Sequence, residues 1–271
     1  MRLRRRHSKE NEIQAGHGGT CPAFSYGLVG AARTARNKEG VEAGVEQTVV
    51  QGMRLMVLGE GAGKLPLVLL HAPQEEAQRV YGELQTPCML ACVDGADWAR
   101  DFTPWPAPGL RAGKRFAGEA EAYMERLCTV LMPQLERMLP AETSGRYLCG
   151  YSLAGLFAVW SWLRGGPWDG VGCFSGSVWY DGFADWALGM MPDPAALSLS
   201  IGQREKRTRE PRMAQGECCM RRLAQAWEER MPVSFALEPG GHFTDVPGRI
   251  ARGIDRLLAL PAIAKHAASG I

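Results

Sequence analysis

Ser152 and His242 are the two residues whose settings would let them do chemistry together. A serine hydroxyl near its ordinary pKa is a poor nucleophile. A neutral imidazole that takes its proton makes it able to attack an acyl carbon. Ser152 stands in Tyr147-Leu-Cys-Gly-Tyr-Ser-Leu-Ala-Gly-Leu-Phe-Ala158: an apolar strand-like run, a tight turn, then an apolar helix-like run. Gly150 is two residues before the serine and Ala154 two after it, and such small neighbours permit a turn sharp enough to lift the hydroxyl above a sheet. In a chain with 33 glycines the short pattern alone is weak. The strand–turn–helix context carries it, against the plainer reading that Ser152 caps a helix.

His242 lies in Glu238-Pro-Gly-Gly-His-Phe-Thr-Asp245, a glycine-rich loop between a strand-like and a helix-like segment. That is the place of the base when the chain order is serine, acid, histidine. His7, His17 and His266 sit in polar flanks, and His71, directly after an apolar strand, reads as structural. The acid belongs after the strand between serine and histidine, where Gln203-Arg-Glu-Lys-Arg207 offers Glu205. Asp245 is a second option, although it precedes Val246-Pro247 and looks like a helix N-cap. A Ser-His dyad without an acid is a third. The Leu153 N–H, at the start of the helix after Ser152, is one candidate oxyanion donor. The second belongs to the loop Leu70-His-Ala-Pro-Gln74, where proline has no N–H, which leaves Ala72 or Gln74, with Ala72 the preferred donor. Tyr151, Trp105 and Trp179 are candidates for an aromatic substrate pocket, with Trp98 and Tyr180 nearby in similar loops.

The elements that must position these groups alternate along the chain. Apolar runs at 49–58 and 65–71 flank a glycine-rich connection and read as a hairpin. A helix at 74–84 and a buried strand at 88–93 follow. Phe116, Ala120, Tyr123, Leu127, Leu131 and Leu135 mark a long amphipathic helix with a kink at Pro133. Beyond it come strands at 147–149, 171–174, 195–201 and 232–237, with helices at 153–163, 215–230 and 246–260. Short continuous apolar strands alternating with helices predict an α/β fold, a mostly parallel central sheet covered by helices on both faces.

Residues 1–50 lack a sustained period and are expected to be a disordered extension, with Met53 a candidate beginning; 51–271 should form a single domain. The chain is 46% hydrophobic and 22% charged, with 31 basic against 29 acidic residues. A charge so near neutrality gives no support to nucleic acid or an anionic membrane as partner. No apolar run approaches the roughly 18 residues of a membrane span, and the basic start lacks the hydrophobic stretch of a secretory signal. The eight cysteines contain no C-x-x-C, which argues against zinc and for reduced thiols in a cytoplasmic protein. Gly59-Glu-Gly-Ala-Gly-Lys64 resembles a phosphate loop, but the spacing is wrong and Leu65 replaces the Ser/Thr that would hold magnesium. No cofactor or metal is expected. The oligomeric state is left open.

Gly150-Tyr-Ser-Leu-Ala-Gly-Leu-Phe-Ala158, Phe174-Ser-Gly-Ser-Val-Trp179 and Gly240-Gly-His-Phe243 together resemble the esterase family that includes esterase D and the enterochelin (ferric-siderophore) esterases. Asp97-Trp-Ala-Arg-Asp-Phe-Thr-Pro-Trp105 is similar to the D-x-T-P segment of the siderophore esterases. The resemblance spans roughly residues 53–260. It implies an α/β-hydrolase fold and cofactor-free cleavage of a small-molecule carboxylic ester, with Ser152 as nucleophile and His242 as base. Two departures stand out: Ala154 replaces the usual second glycine, and no motif marks the acid. Acyl transfer to another acceptor and thioester cleavage are alternatives on the same site. Ligand binding without catalysis is the alternative from another class.

Overall fold

A computed structural model describes residues 35–36, 42–43, 45–60, 63–139 and 142–263. Eight strands form its main sheet: β1 (Val45–Val50), β2 (Met53–Leu58), β3 (Leu65–His71), β4 (Met89–Asp94), β5 (Thr143–Tyr151), β6 (Gly170–Phe174), β7 (Ala196–Gly202) and β8 (Val233–Glu238). The strand order is β8-β7-β6-β5-β3-β4-β2-β1. From β4 to β8 every neighbouring pair is parallel; β2 is antiparallel to β4, and β1 to β2. The main helices are α1 (Gln74–Glu83), a continuous α2 (Ala120–Met138), α3 (Leu153–Leu163), α4 (Phe183–Leu188), α5 (Gly216–Glu228) and α6 (Val246–Leu258). The predicted α/β class and the mostly parallel sheet are what the chain adopts.

Alternation along β3 divides the core in two. Leu67 and Leu69 join the apolar cluster with α2, α3 and α5, while Val68 and Leu70 join the cluster with Ala77 and Val80 of α1 and Ile250, Ile254 and Leu257 of α6. Strands buried on both faces read as unbroken apolar runs, and β6 and β7 are buried at every position.

The hairpin expected between 49–58 and 65–71 does not form. Gln51 and Gly52, both at positive φ (48° and 79°), make a two-residue turn inside the first run, so the hairpin is β1–β2. β3 lies beyond β4 instead, carried past it by residues 59–64. Skipping one strand means crossing about 10 Å, within reach of six residues. Val45–Val50, within the stretch read as an extension, is thus the edge of the sheet. Its sequence, VEQTVV, is half-exposed or exposed throughout and carries no apolar run to announce it. For residues 1–34, 37–41 and 44 the expected extension falls outside the described residues.

The irregularity expected at Pro133 takes the form of a π-helical turn, Leu127–Leu131, just before it. Proline offers no N–H to Thr129, four residues earlier, and its ring crowds that carbonyl; a widened turn relieves both. Among the described residues no helix is long and apolar enough to cross a membrane.

Candidate active site

Four parallel strands end side by side, and each delivers one loop to the same place. At the end of β5 the chain turns through Ser152 with φ 55° and ψ −121°, a strained conformation for a residue with a side chain, and enters α3. The small neighbours are obligatory. A Cβ on Gly150 would lie 2.3 Å from the Ala154 backbone, and one on Gly155 would lie 2.9 Å from Gly150 O. The turn is pinned to the next strand, since Ser152 N–H donates to Phe174 O and Ser177 N–H to Ser152 O. The Ser152 side chain makes no capping bond to α3, which sets aside the helix-cap reading.

The hydroxyl instead faces His242: Ser152 Oγ lies 3.1 Å from His242 Nε2. On the other side of the ring, His242 Nδ1 is 2.8 Å from Glu205 Oε2. An ionised carboxylate accepts from Nδ1–H, so Nε2 is left as the acceptor for the serine proton. Glu205 is 8% exposed, at the start of a 3₁₀ turn after β7. Burial pushes its pKa up, but hydrogen bonds from His242, Ser175 and Gly202 outweigh it, and the carboxyl stays below the usual glutamate range. Asp245, the other candidate acid, stands at the N-cap position of α6 without a side-chain cap bond. It is exposed and paired with Arg252 at 3.0 Å.

Leu153 opens α3, so its N–H points out of the helix N-terminus beside the serine. Ala72 is buried immediately after β3, whose His71 is in register with Gly150. His71 lies in the opposite layer, edge-on to Phe102, Tyr123 and Phe157, with neither ring nitrogen hydrogen-bonded. Burial holds its pKa down to about 3, against the pull of Asp101, so it stays neutral and packs as an aromatic.

The aromatic candidates separate. Tyr151, expected in the pocket, is buried behind the site, where its hydroxyl donates to His242 O at 2.6 Å. As the last residue of β5 it alternates to the opposite face from its neighbours, toward α6. Trp105 donates to Asp181 O and packs against Tyr180, Phe183 and Trp186, so it ties loop to loop. Trp179 is half-buried under the Arg212 guanidinium, two residues beyond Ser177, whose Oγ lies 3.4 Å from Ser152 Oγ. Phe243 is 89% exposed and meets the His242 ring edge-on.

Sequence reasoning missed three participants. Ser175 and Ser177 sit in the 174–179 motif without an assigned part. Arg249 is wholly buried on the apolar stripe of α6 beside Ile250, Ile254 and Leu257. A charged residue on such a stripe, seven positions after the candidate base, was the available signal.

No family model matches the chain, and no curated protein matches it. Solved structures do. An IroE-like serine hydrolase from Shewanella oneidensis superposes with a TM-score of 0.64 at 15% identity, covering 79% of each chain. The siderophore hydrolase EstA from Aspergillus nidulans gives 0.62 at 18% identity, covering 88% of this chain and 98% of its own. The enterobactin esterase FES from Shigella flexneri gives 0.59 at 18% identity, covering 83% of this chain and 61% of its own. At such identities the likeness is one of architecture. The chain has the α/β-hydrolase fold that these solved structures share.

Proposed function

We propose that the protein is a serine hydrolase that cleaves a small-molecule carboxylic ester through an acyl-enzyme. The observation that carries this reading is the continuous Ser152–His242–Glu205 relay, 3.1 and 2.8 Å long in its two links and assembled from three separate loops. His242 Nε2 takes the hydroxyl proton as Ser152 Oγ bonds to the ester carbon. Glu205 offsets the charge that the ring acquires. The carbonyl oxygen becomes an oxyanion, held by Leu153 N–H and Ala72 N–H; one such donor is worth about 3 kcal/mol. The intermediate collapses, the ester C–O bond breaks, and the departing alkoxide takes the proton from His242. Water then repeats the cycle with the same base and releases the acid.

The ordinary start of the screen is a p-nitrophenyl ester series, followed by enterobactin, for which one of the similar structures is named. Five of the seven cysteines among the described residues are buried, and all seven are free thiols, which supports a reducing, cytoplasmic setting. The test is labelling of the purified protein with a fluorophosphonate probe, with the modified residue mapped. Modification at Ser152, lost together with ester turnover in Ser152→Ala, is the expected result. Turnover that survives Ser152→Ala would refute the assignment.

A further inference from the structure

We infer that Arg249 is a positioning residue of this reaction centre: its guanidinium ties the loops bearing nucleophile, acid and base into one unit and reserves a single Glu205 oxygen for His242. The inference rests on the reading of Ser152, His242 and Glu205 given above.

Arg249 is 0% exposed. A guanidinium buried so completely is strongly unfavourable unless its N–H groups and its charge are both matched. Its Nη1 donates to Tyr151 Oη at 2.9 Å, Ser175 Oγ at 3.1 Å and Glu205 Oε1 at 3.2 Å, and its Nη2 donates to Pro239 O at 2.7 Å; of its nitrogens only Nε is left without a partner among the described residues. Each partner comes from a different strand end. Tyr151 immediately precedes Ser152, Ser175 follows β6, Glu205 follows β7, and Pro239 stands three residues before His242. Tyr151 carries the tie further, since its own hydroxyl donates to the His242 carbonyl. Burial pushes the Tyr151 phenol up, so it keeps that proton to donate. Arg249 therefore reaches His242 twice, through the backbone by way of Tyr151 and through the side chain by way of Glu205.

The two carboxylate oxygens of Glu205 have unequal surroundings. Oε1 accepts from Ser175 Oγ at 2.7 Å, Gly202 N at 2.8 Å and Arg249. Oε2 faces the imidazole. Rotating the carboxylate would break three bonds at once, so the geometry toward Nδ1 is held before substrate arrives. Charge follows the same logic. At rest Arg249 and Glu205 neutralise each other, and a new charge pair appears only when the imidazolium and oxyanion form together. A lysine could match the charge but not the fork.

The titratable and charged groups facing Glu205 are His242 from the β8 loop, Arg249 from α6 and Tyr151 from β5. Removing the cation should favour protonation of the Glu205–His242 pair as a coupled unit. The experiment measures kcat, KM and the pH profile of kcat/KM on a p-nitrophenyl ester for wild type, Arg249→Met, Arg249→Lys, Tyr151→Phe and Ser175→Ala, each normalised to folded protein by near-UV circular dichroism. Arg249→Met is expected to lose about 100-fold in kcat, as misplacement near 1 Å does, with KM within about threefold and the low-pH limb moved upward. Arg249→Lys should return the limb toward wild type while recovering only part of kcat. Where Arg249→Met does not fold, Tyr151→Phe and Ser175→Ala decide, each expected to lose about tenfold in kcat with KM nearly unchanged. Variants with wild-type kcat per folded molecule and an unmoved limb would overturn the inference while fluorophosphonate labelling of wild-type Ser152 still upholds the hydrolase reading. Absence of that labelling would remove both.

Discussion

The Ser175 hydroxyl donates to Glu205 Oε1 at 2.7 Å, while His242 Nδ1 meets the other carboxylate oxygen at 2.8 Å. One buried side chain thus faces inward to the scaffold and outward to the imidazole. The β6 and β7 loops that supply Ser175 and Glu205 are held together by the same backbone ladder that ends in Ser175 N–H donating to Ser200 O. The orientation of the His242 ring follows from strand order.

Glu205→Gln keeps the shape but offers His242 a neutral partner and forces a choice between amide oxygen and amide nitrogen. It is expected to lower kcat by about 10³-fold or more, with KM little changed, in steady-state ester kinetics. A loss under threefold would point to a working Ser-His dyad.

The folded-state pKa of Glu205 is depressed, and so is that of buried Glu238, which Arg252 and Arg256 hold at 2.8 and 2.7 Å. Stability drawn from such groups is fully present above about 4.5, the ordinary value, and is lost as pH falls further through the folded value. Urea unfolding followed from pH 7 to pH 3 should show stability falling across that window. Glu238→Gln should destabilise by about 1–3 kcal/mol at pH 7 and by clearly less at pH 3.

His71 is buried without a hydrogen-bond partner, and its folded pKa is near 3 rather than 6.5. Protonation favours the unfolded chain below 6.5, so this residue weakens the fold as pH drops from there. His71→Leu is expected to stabilise by about 1 kcal/mol at pH 7, by more at pH 5, and to leave ester turnover intact. Chemical denaturation at the two pH values measures it.

Ser152 holds φ 55° in a sheet-to-helix turn. Ser152→Gly relieves that strain and Ser152→Ala does not, so the glycine variant should be more stable than the alanine variant by about 1 kcal/mol. Thermal melts of the two variants compare them directly.

A chain beginning at Met53 lacks β1 and leaves β2, with Met53, Leu55, Met56, Val57 and Leu58 all buried in the intact fold, as the sheet edge. An apolar open edge pairs with other chains. Light scattering and size exclusion should show that this truncation aggregates, whereas a chain retaining Val45–Val50 stays dispersed.

The order of apolar runs and helical stripes determined the α/β class, because strands buried on both faces need helices above and below them. The turn at Ser152 was equally legible, since Gly150, Ala154 and Gly155 are sizes that a sharp strand-to-helix turn demands locally. The glycine loop around His242 and the position of Glu205 after β7 could be read from chain order alone. Other features depended on neighbours distant in sequence. Which strand pairs with 65–71 is a matter of competition among similar apolar segments, and the local pattern is the same whether β3 lies beside β2 or beyond β4. Glu205 and Asp245 are both carboxylates in polar loops; only the burial of one against Ser175, Gly202 and Arg249, and the exposure of the other beside Arg252, separates them. Tyr151 illustrates the same point, because its side turns on strand alternation and on a guanidinium ninety-eight positions away. Local sterics are written residue by residue, but the partner of a buried charge is chosen by the packing of the whole sheet.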